Sequence, residues 1–210
     1  MKQLSITLYG FDELTEEIQQ QLIDDYRESL EAVIDYDVVI EDFKAYMQSF
    51  GASDIDVFWS GFNSQGDGAC FCCDFDTNKL FETVYRHNSD YDRVQNLMNG
   101  RGLIDLAIVS RRCGPSNFYS HENTVEAYTK CTMHDHQLSR EDRDLIDSLE
   151  ADVTEFIRAN CRDLYKKLEN HYEFCTSDAC FSEVFSSMGE CFTAKGLIIQ
   201  HEEDTTSLEE

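Results

Sequence analysis

Residues Ile55–Asp76 read IDVFWSGFNSQGDGACFCCDFD, and this stretch decides the fold. Two apolar, aromatic-rich runs flank SQGDG, where Gly66, Asp67 and Gly68 accept the positive φ of a tight reversal. Before the turn, Ile55, Val57 and Trp59 alternate with Asp54, Asp56 and Ser60. After it, Phe71, Cys73 and Phe75 alternate with Cys70, Cys72, Asp74 and Asp76. A period of two with acids on one face predicts a half-buried pair of antiparallel strands.

Helices surround this hairpin. Upstream, alternation over residues 3–9 predicts a strand ending near Gly10. A helix capped by Thr15 follows, with Glu16 and Glu17 at its positive end and an Ile18, Leu22, Tyr26, Leu30 stripe. DYDVV at 35–39 is expected to interrupt it, because β-branched residues and Asp disfavour helix. A second helix over 40–50 carries Phe43, Tyr46, Met47 and Phe50 and stops at Gly51.

Downstream, residues 79–99 predict a helix with an irregularity near His87 to Asp90. Leu103–Val109 predicts a central strand, RRCGPSN a turn, and Phe118–Thr129 the partner strand, with Tyr119, His121, Asn123 and Val125 on one face. Ser139 starts the longest helix, with Asp142 set for a reciprocal cap. Its apolar stripe is too broad for a coiled-coil seam, so a helix covering the sheet is expected over a long dimeric coil. Ser177 caps a short helix carrying Ala179, Cys180, Val184 and Phe185, and a short strand pair turns at Lys195-Gly196. The expectation is one α+β domain over 1–200 with a largely antiparallel sheet, a central hairpin and several covering helices. HEEDTTSLEE at 201–210 reads as a disordered acidic tail.

The charge is extreme. Against 17 bases there are 42 acids, a formal net charge of -25. Such a field repels nucleic acid and opposes compaction, so direct nucleic-acid binding is excluded. Halophilic adaptation is the plain alternative, and nine Cys with an aromatic core argue against it. MKQLSITLYG is too polar for a signal peptide, and no run approaches the roughly 18 apolar residues of a membrane span. A cytoplasmic chain with mostly reduced thiols is expected.

Particular residues bear on several chemistries. SQGDGACF lacks the Lys-Ser/Thr of a phosphate loop, and Asp67 has the wrong sign for a phosphate nest. Ser64, Gln65, Asp67, Tyr119, His121 and Arg112 form a candidate ligand site, for a small-ligand-binding or hydrolytic protein. Zinc candidates are Cys70 and Cys72 with Cys131, His134 and His136, but no paired C-x-x-C knuckle is present. No metal, cofactor or catalytic residue is assigned. The charge carries the sharper hypothesis. Asp24, Asp25, Glu28 and Glu31 on the first helix, and Asp142, Glu150, Asp152 and Glu155 on the longest, are candidates for a surface that mimics nucleic acid and occupies a basic groove.

FWSGFNSQGDGACF, YSHENTV (119–125) and YEFCTSDACFSEVF (172–185) resemble a group of small acidic proteins of phages and mobile elements, which share an SGF-x-SQGDGA-x-F motif. The resemblance implies that SQGDGA and His121 share a structural or ligand site. It also implies a host-cytoplasmic inhibitor of a defence system, anti-restriction or anti-CRISPR, bound to a basic protein or nucleoprotein complex. An antitoxin-like partner of a basic toxin is the remaining alternative.

Overall fold

The computed structural model describes residues 6–30, 34–99, 107–112, 120–130, 139–189 and 191–199. The fold is α+β, with an antiparallel sheet and a long helix in the second half of the chain. It comprises two compact units, Tyr36–Asn170 and Met1–Asp35 with His171–Glu210.

The first of these contains the sheet. Helix α1 (Glu16–Leu30) belongs to the terminal unit; α2 (Asp37–Ser49) opens the sheet unit and includes Val38 and Val39. The expected interruption at DYDVV is therefore shorter than read, because Asp37 in a first turn suits the helix dipole. Phe43 and Met47 are buried, and Gly51 at φ 91° ends the segment. Strands β1 (Ala52–Trp59) and β2 (Ala69–Phe75) form the hairpin. Their register steps between Ser53 and Asp56, so β1 carries one extra residue there. Asp54 absorbs it at φ 50°, a left-handed conformation that Asp tolerates. The bulge puts Ala52, opposite Phe75, on the same face as Val57, opposite Phe71, despite odd spacing.

β2 is an inner strand, in the order β1-β2-β3-β4 with β3 (Ala107–Arg112) and β4 (Val125–Lys130). Phe71, Cys73 and Phe75 are buried as alternation predicts, and Cys70 is buried on the opposite face. Full burial of Phe71 contributes roughly 1.5–3 kcal/mol. Arg111 and Arg112, read as turn residues, instead continue β3. The partner strand is also shorter than expected. Glu122–Thr124 form a 3-10 turn before β4, because His121 bonds locally and draws the backbone out of the ladder. Leu103 to Leu106 and the turn around Pro115 lie outside the described residues.

Between β2 and β3 the expected single helix is broken. It divides into α3 (Thr77–Leu80, capped by Asp76), a π-turn at Phe81–Tyr85, and α4 (Tyr91–Asn99). The break falls at the expected His87–Asp90 segment, where Asp90 N–H bonds Asn88 Oδ1 at 2.9 Å. Helix α5 (Arg140–Cys175) starts with the anticipated reciprocal cap: Asp142 N–H to Ser139 Oγ, 3.0 Å, and Ser139 N–H to Asp142 Oδ2, 3.3 Å. Leu145, Leu149, Val153, Ile157, Cys161, Leu164 and Leu168 are buried with the sheet residues in one core. Alongside β4, Thr154 Oγ1 accepts the Ala127 N–H at 3.0 Å, and Arg158 Nε donates to the Val125 carbonyl at 3.4 Å. Two side chains thus occupy strand positions that would otherwise invite another strand.

The terminal unit has a separate core of Phe11, Leu14, Ile23, Phe181, Phe185 and Phe192. On α1 the stripe residues Ile18 and Leu22 pack against this core and Tyr26 packs edge-on 5.2 Å from the Phe185 ring centre, while Ile23, one step beside the stripe, is buried outright. α6 (Asp178–Ser187) is capped by Ser177, as expected, and buries Phe181 as well as Phe185. The predicted N-terminal strand is not formed by residues 6–8, and Tyr9 makes only an isolated bridge to Phe192. Alternation marks a strand's faces but supplies no neighbour for its backbone, and here that neighbour is a single residue. Phe192 also bridges Ile198, around the expected turn at Gly196. Residues 201–210 lie outside the described residues.

Candidate functional site

Asp67 builds the hairpin reversal. Its Oδ2 accepts the backbone N–H of Asn63 at 2.9 Å and of Ser64 at 2.6 Å. Ser64 and Gln65 are exposed. The next residue, Gly68, is pressed against another chain segment. A Cβ there would lie 2.7 Å from the Ser120 carbonyl oxygen and 3.0 Å from His121 Cδ2. SQGDGA and the YSHENTV segment therefore meet at Gly68, and the meeting demands glycine.

His121 opens the 3-10 turn. Its Nδ1 lies 2.8 Å from Glu122 Oε2 and 3.3 Å from the Asn123 backbone nitrogen. Nδ1 accepts the Asn123 N–H as the N-cap side chain of this turn, with Asn123 Nδ2 at 3.2 Å from the same nitrogen. Across from this turn, Arg162 on α5 pairs with Glu155 at 2.6 Å. That contact raises its pKa further, with Glu122 contributing to the field. Of the expected ligand set, Asp67 and His121 sit on adjoining segments and Arg112 lies in β3 opposite Val125. Tyr119 lies outside the described residues. The Asp67 carboxylate is engaged with its own loop, which is the work of a structural turn.

The cysteines behind this turn are core residues. Burial, first, and then Cys72, Asp74 and Cys161 push the Cys73 thiol pKa far up. Burial pushes Cys161 up to about 12, opposed by a backbone hydrogen bond from Phe71. Both remain neutral thiols near neutrality, which makes them poor nucleophiles and poor unaided metal ligands. Among the described residues no group of three or more His, Cys, Asp or Glu is placed to hold a metal ion. Cys131, His134 and His136 lie outside those residues.

The expected acidic surface divides between the two units. On α1, Asp24 pairs with Arg27 at 3.0 Å, and Asp25 is exposed; of Glu28 only the helical backbone is described, and Glu31 lies outside the described residues. On α5 the acids fan around the helix, because at 3.6 residues per turn positions 150, 152 and 155 point in different directions. Asp142 is spent on the cap, Asp152 accepts the Tyr85 hydroxyl at 2.7 Å, and Glu155 holds Arg162.

Glu150 opens onto a groove of about 470 Å³ between α5 and β4. Among the described residues, Glu126, Asp147, Glu150 and Glu155 contribute four carboxylates to its lining and Arg158 one guanidinium. Arg158 pairs loosely with Glu126 at 3.9 Å and Arg162 holds Glu155 at 2.6 Å, which leaves Asp147 and Glu150 as the excess negative charge of the described lining. Tyr128 and Thr154 complete its wall. Glu126, Asp147 and Arg158 were not singled out from sequence. Glu126 lies on β4 and the other two on α5, the next element, and no local spacing signals their convergence.

A family model described as Domain of unknown function (DUF8835) matches residues 36–178. The chain belongs to this family. The DUF8835 segment covers the whole sheet unit, including the Gly68–Ser120 contact and the acidic groove, and ends at the first residue of α6. No curated protein and no solved structure matches the chain. Among the described residues no helix is long and apolar enough to cross a membrane.

Proposed function

We propose that this protein is a non-catalytic binder of a basic partner, with carboxylates standing where the partner otherwise meets phosphates. The partner class is a nucleic-acid-handling host protein, a restriction or CRISPR complex, and the protein is an inhibitor of phage type acting in the host cytoplasm. The observation that carries this reading is the groove whose described lining holds four carboxylates and one guanidinium, on a chain of net charge -25. Gathered along an open groove between a helix and a strand, such a set presents a more focused field than scattered surface acids, because cleft walls concentrate field lines. The filled turn at Asp67 and Gly68 also supports docking over small-ligand chemistry at the hairpin.

Mimicry has a consequence that simple charge attraction lacks: the partner's own nucleic acid must displace the protein. The test is immobilised full-length protein, host lysate at low and high salt, and elution of retained proteins with DNA or RNA. Glu126→Gln/Asp147→Asn/Glu150→Gln is expected to abolish retention of the nucleic-acid-displaceable set. Equal retention by this variant, or partners that nucleic acid does not displace, refutes the proposal.

A further inference from the structure

The imidazole of His121 holds one atom between two demands that exclude each other. Asn123 offers its Nδ1 two donors, the backbone N–H at 3.3 Å and the side-chain amide Nδ2 at 3.2 Å. Both need a lone pair on that nitrogen. Glu122 Oε2, 2.8 Å from the same atom, needs a proton on it. In the neutral ring the turn is capped and the carboxylate faces a lone pair. In the imidazolium the carboxylate gains a short charge-assisted bond, and both Asn123 donors are orphaned. The ring is seated for this choice. Its Cδ2 edge lies against Gly68, 3.0 Å from where a Cβ would stand, with Nδ1 towards its own turn. Both side chains stay partly exposed, so the proton exchanges with solvent.

We propose that His121 is a proton-operated latch on the start of β4. Neutral, its Nδ1 caps the Glu122–Thr124 turn; protonated, the same atom donates to Glu122 and releases the Asn123 N–H. The turn runs straight into the wall of the acidic groove. Val125, the next residue, takes the Arg158 Nε–H on its carbonyl at 3.4 Å, and Glu126 faces the Arg158 guanidinium at 3.9 Å. Both contacts are long, so they do not hold in place a backbone loosened at Asn123. The other charges around the ring are Asp67, next to Gly68 on the hairpin, and Arg162 with its partner Glu155 on α5, where Glu122 adds to the field. Glu122 and Asp67 favour the imidazolium and Arg162 opposes it; Arg112 holds the register position opposite Val125 in β3. Acid thus frees the groove wall. Its effect on docking rests on the basic-partner reading; the latch itself does not.

Heteronuclear NMR of imidazole nitrogens and backbone amides tests this on the full-length protein, titrated from about pH 8 to about pH 5, where histidine ordinarily changes charge. His121, identified among the six histidines by its loss in His121→Asn, is expected to be the Nε2–H tautomer when neutral. On acidification the Asn123 amide and the Arg158 Nε–H resonances are expected to shift with the midpoint of His121. Exchange of the Asn123 amide, corrected for its intrinsic pH dependence, is expected to quicken about fivefold, the loss of one capping bond. Asn is itself a good cap and does not titrate, so His121→Asn should hold the Asn123 amide constant. Glu122→Gln should move the His121 midpoint to lower pH, because the imidazolium loses its counter-charge. An Nδ1–H tautomer in the neutral ring, an Asn123 amide that ignores the His121 titration, or an unmoved midpoint in E122Q overturns the latch. A fixed Arg158 resonance overturns its reach to the groove. The basic-partner reading fails separately, if the groove variant leaves nucleic-acid-displaceable retention intact.

Discussion

Replacing Gly68 by Ala is the sharpest probe of how the two motif segments meet. The added Cβ would sit 2.7 Å from the Ser120 carbonyl oxygen, 3.0 Å from His121 Cδ2 and 3.1 Å from His121 Cα. Two of those three atoms are backbone, so no rotamer change relieves the clash. β2 or the 120–122 segment must move, and overpacking of this kind costs about 1–3 kcal/mol. Gly61→Ala is the matched control, since its Cβ would meet only Asp67 Oδ2 at 3.6 Å, an ordinary contact. Trp59, the only tryptophan, lies on β1 in the same unit and reports unfolding in urea by fluorescence. Gly68→Ala is expected to lower the midpoint at unchanged m, and each kcal/mol lost lowers Tm by about 2–4 °C in a chain of this size. Adding His121→Ala should not rescue it, because the closest contact is to the Ser120 backbone. Stability within about 0.5 kcal/mol of the parent, the range of an ordinary surface change, refutes the close approach. So does rescue by H121A.

Two further outcomes follow from the core. Tyr85→Phe removes a buried hydroxyl that donates to Asp152 at 2.7 Å, so a loss of about 1–3 kcal/mol is expected in urea unfolding; parity with the parent means the bond contributes nothing. The Cys161 thiol rises from an ordinary 9.0 to about 12 on folding, so the folded state favours the neutral form. Its contribution is whole below pH 9 and is lost as the pH climbs from 9 towards 12, because unfolding then releases a proton. The urea midpoint should fall over that window, and Cys161→Ala should flatten part of the fall. An identical slope in the variant contradicts burial of this thiol.

The sequence by itself determined the elements whose signals are local. Period-two alternation around SQGDG marked the hairpin, and Ser139 with Asp142 and Ser177 marked helix starts within a single turn. The charge excess, likewise, needs no structure. What only tertiary structure decided is everything that depends on which surfaces meet. The left-handed Asp54 realigns Ala52 with Val57, because β2 dictates the register. Ile23 joins the predicted stripe residues Ile18 and Leu22 against the core because Phe181, Phe185 and Phe192 belong to the same cluster. Residues 6–8 alternate like a strand but form none, since ladder hydrogen bonds require a partner that periodicity cannot supply. The acids illustrate the same division. Their number is legible residue by residue, but Asp142 and Asp152 are claimed by a cap and a tyrosine while Asp147 and Glu126 converge on a groove. Hydrophobic period is written along one element, whereas a carboxylate's field depends on neighbours that arrive from elsewhere in the chain.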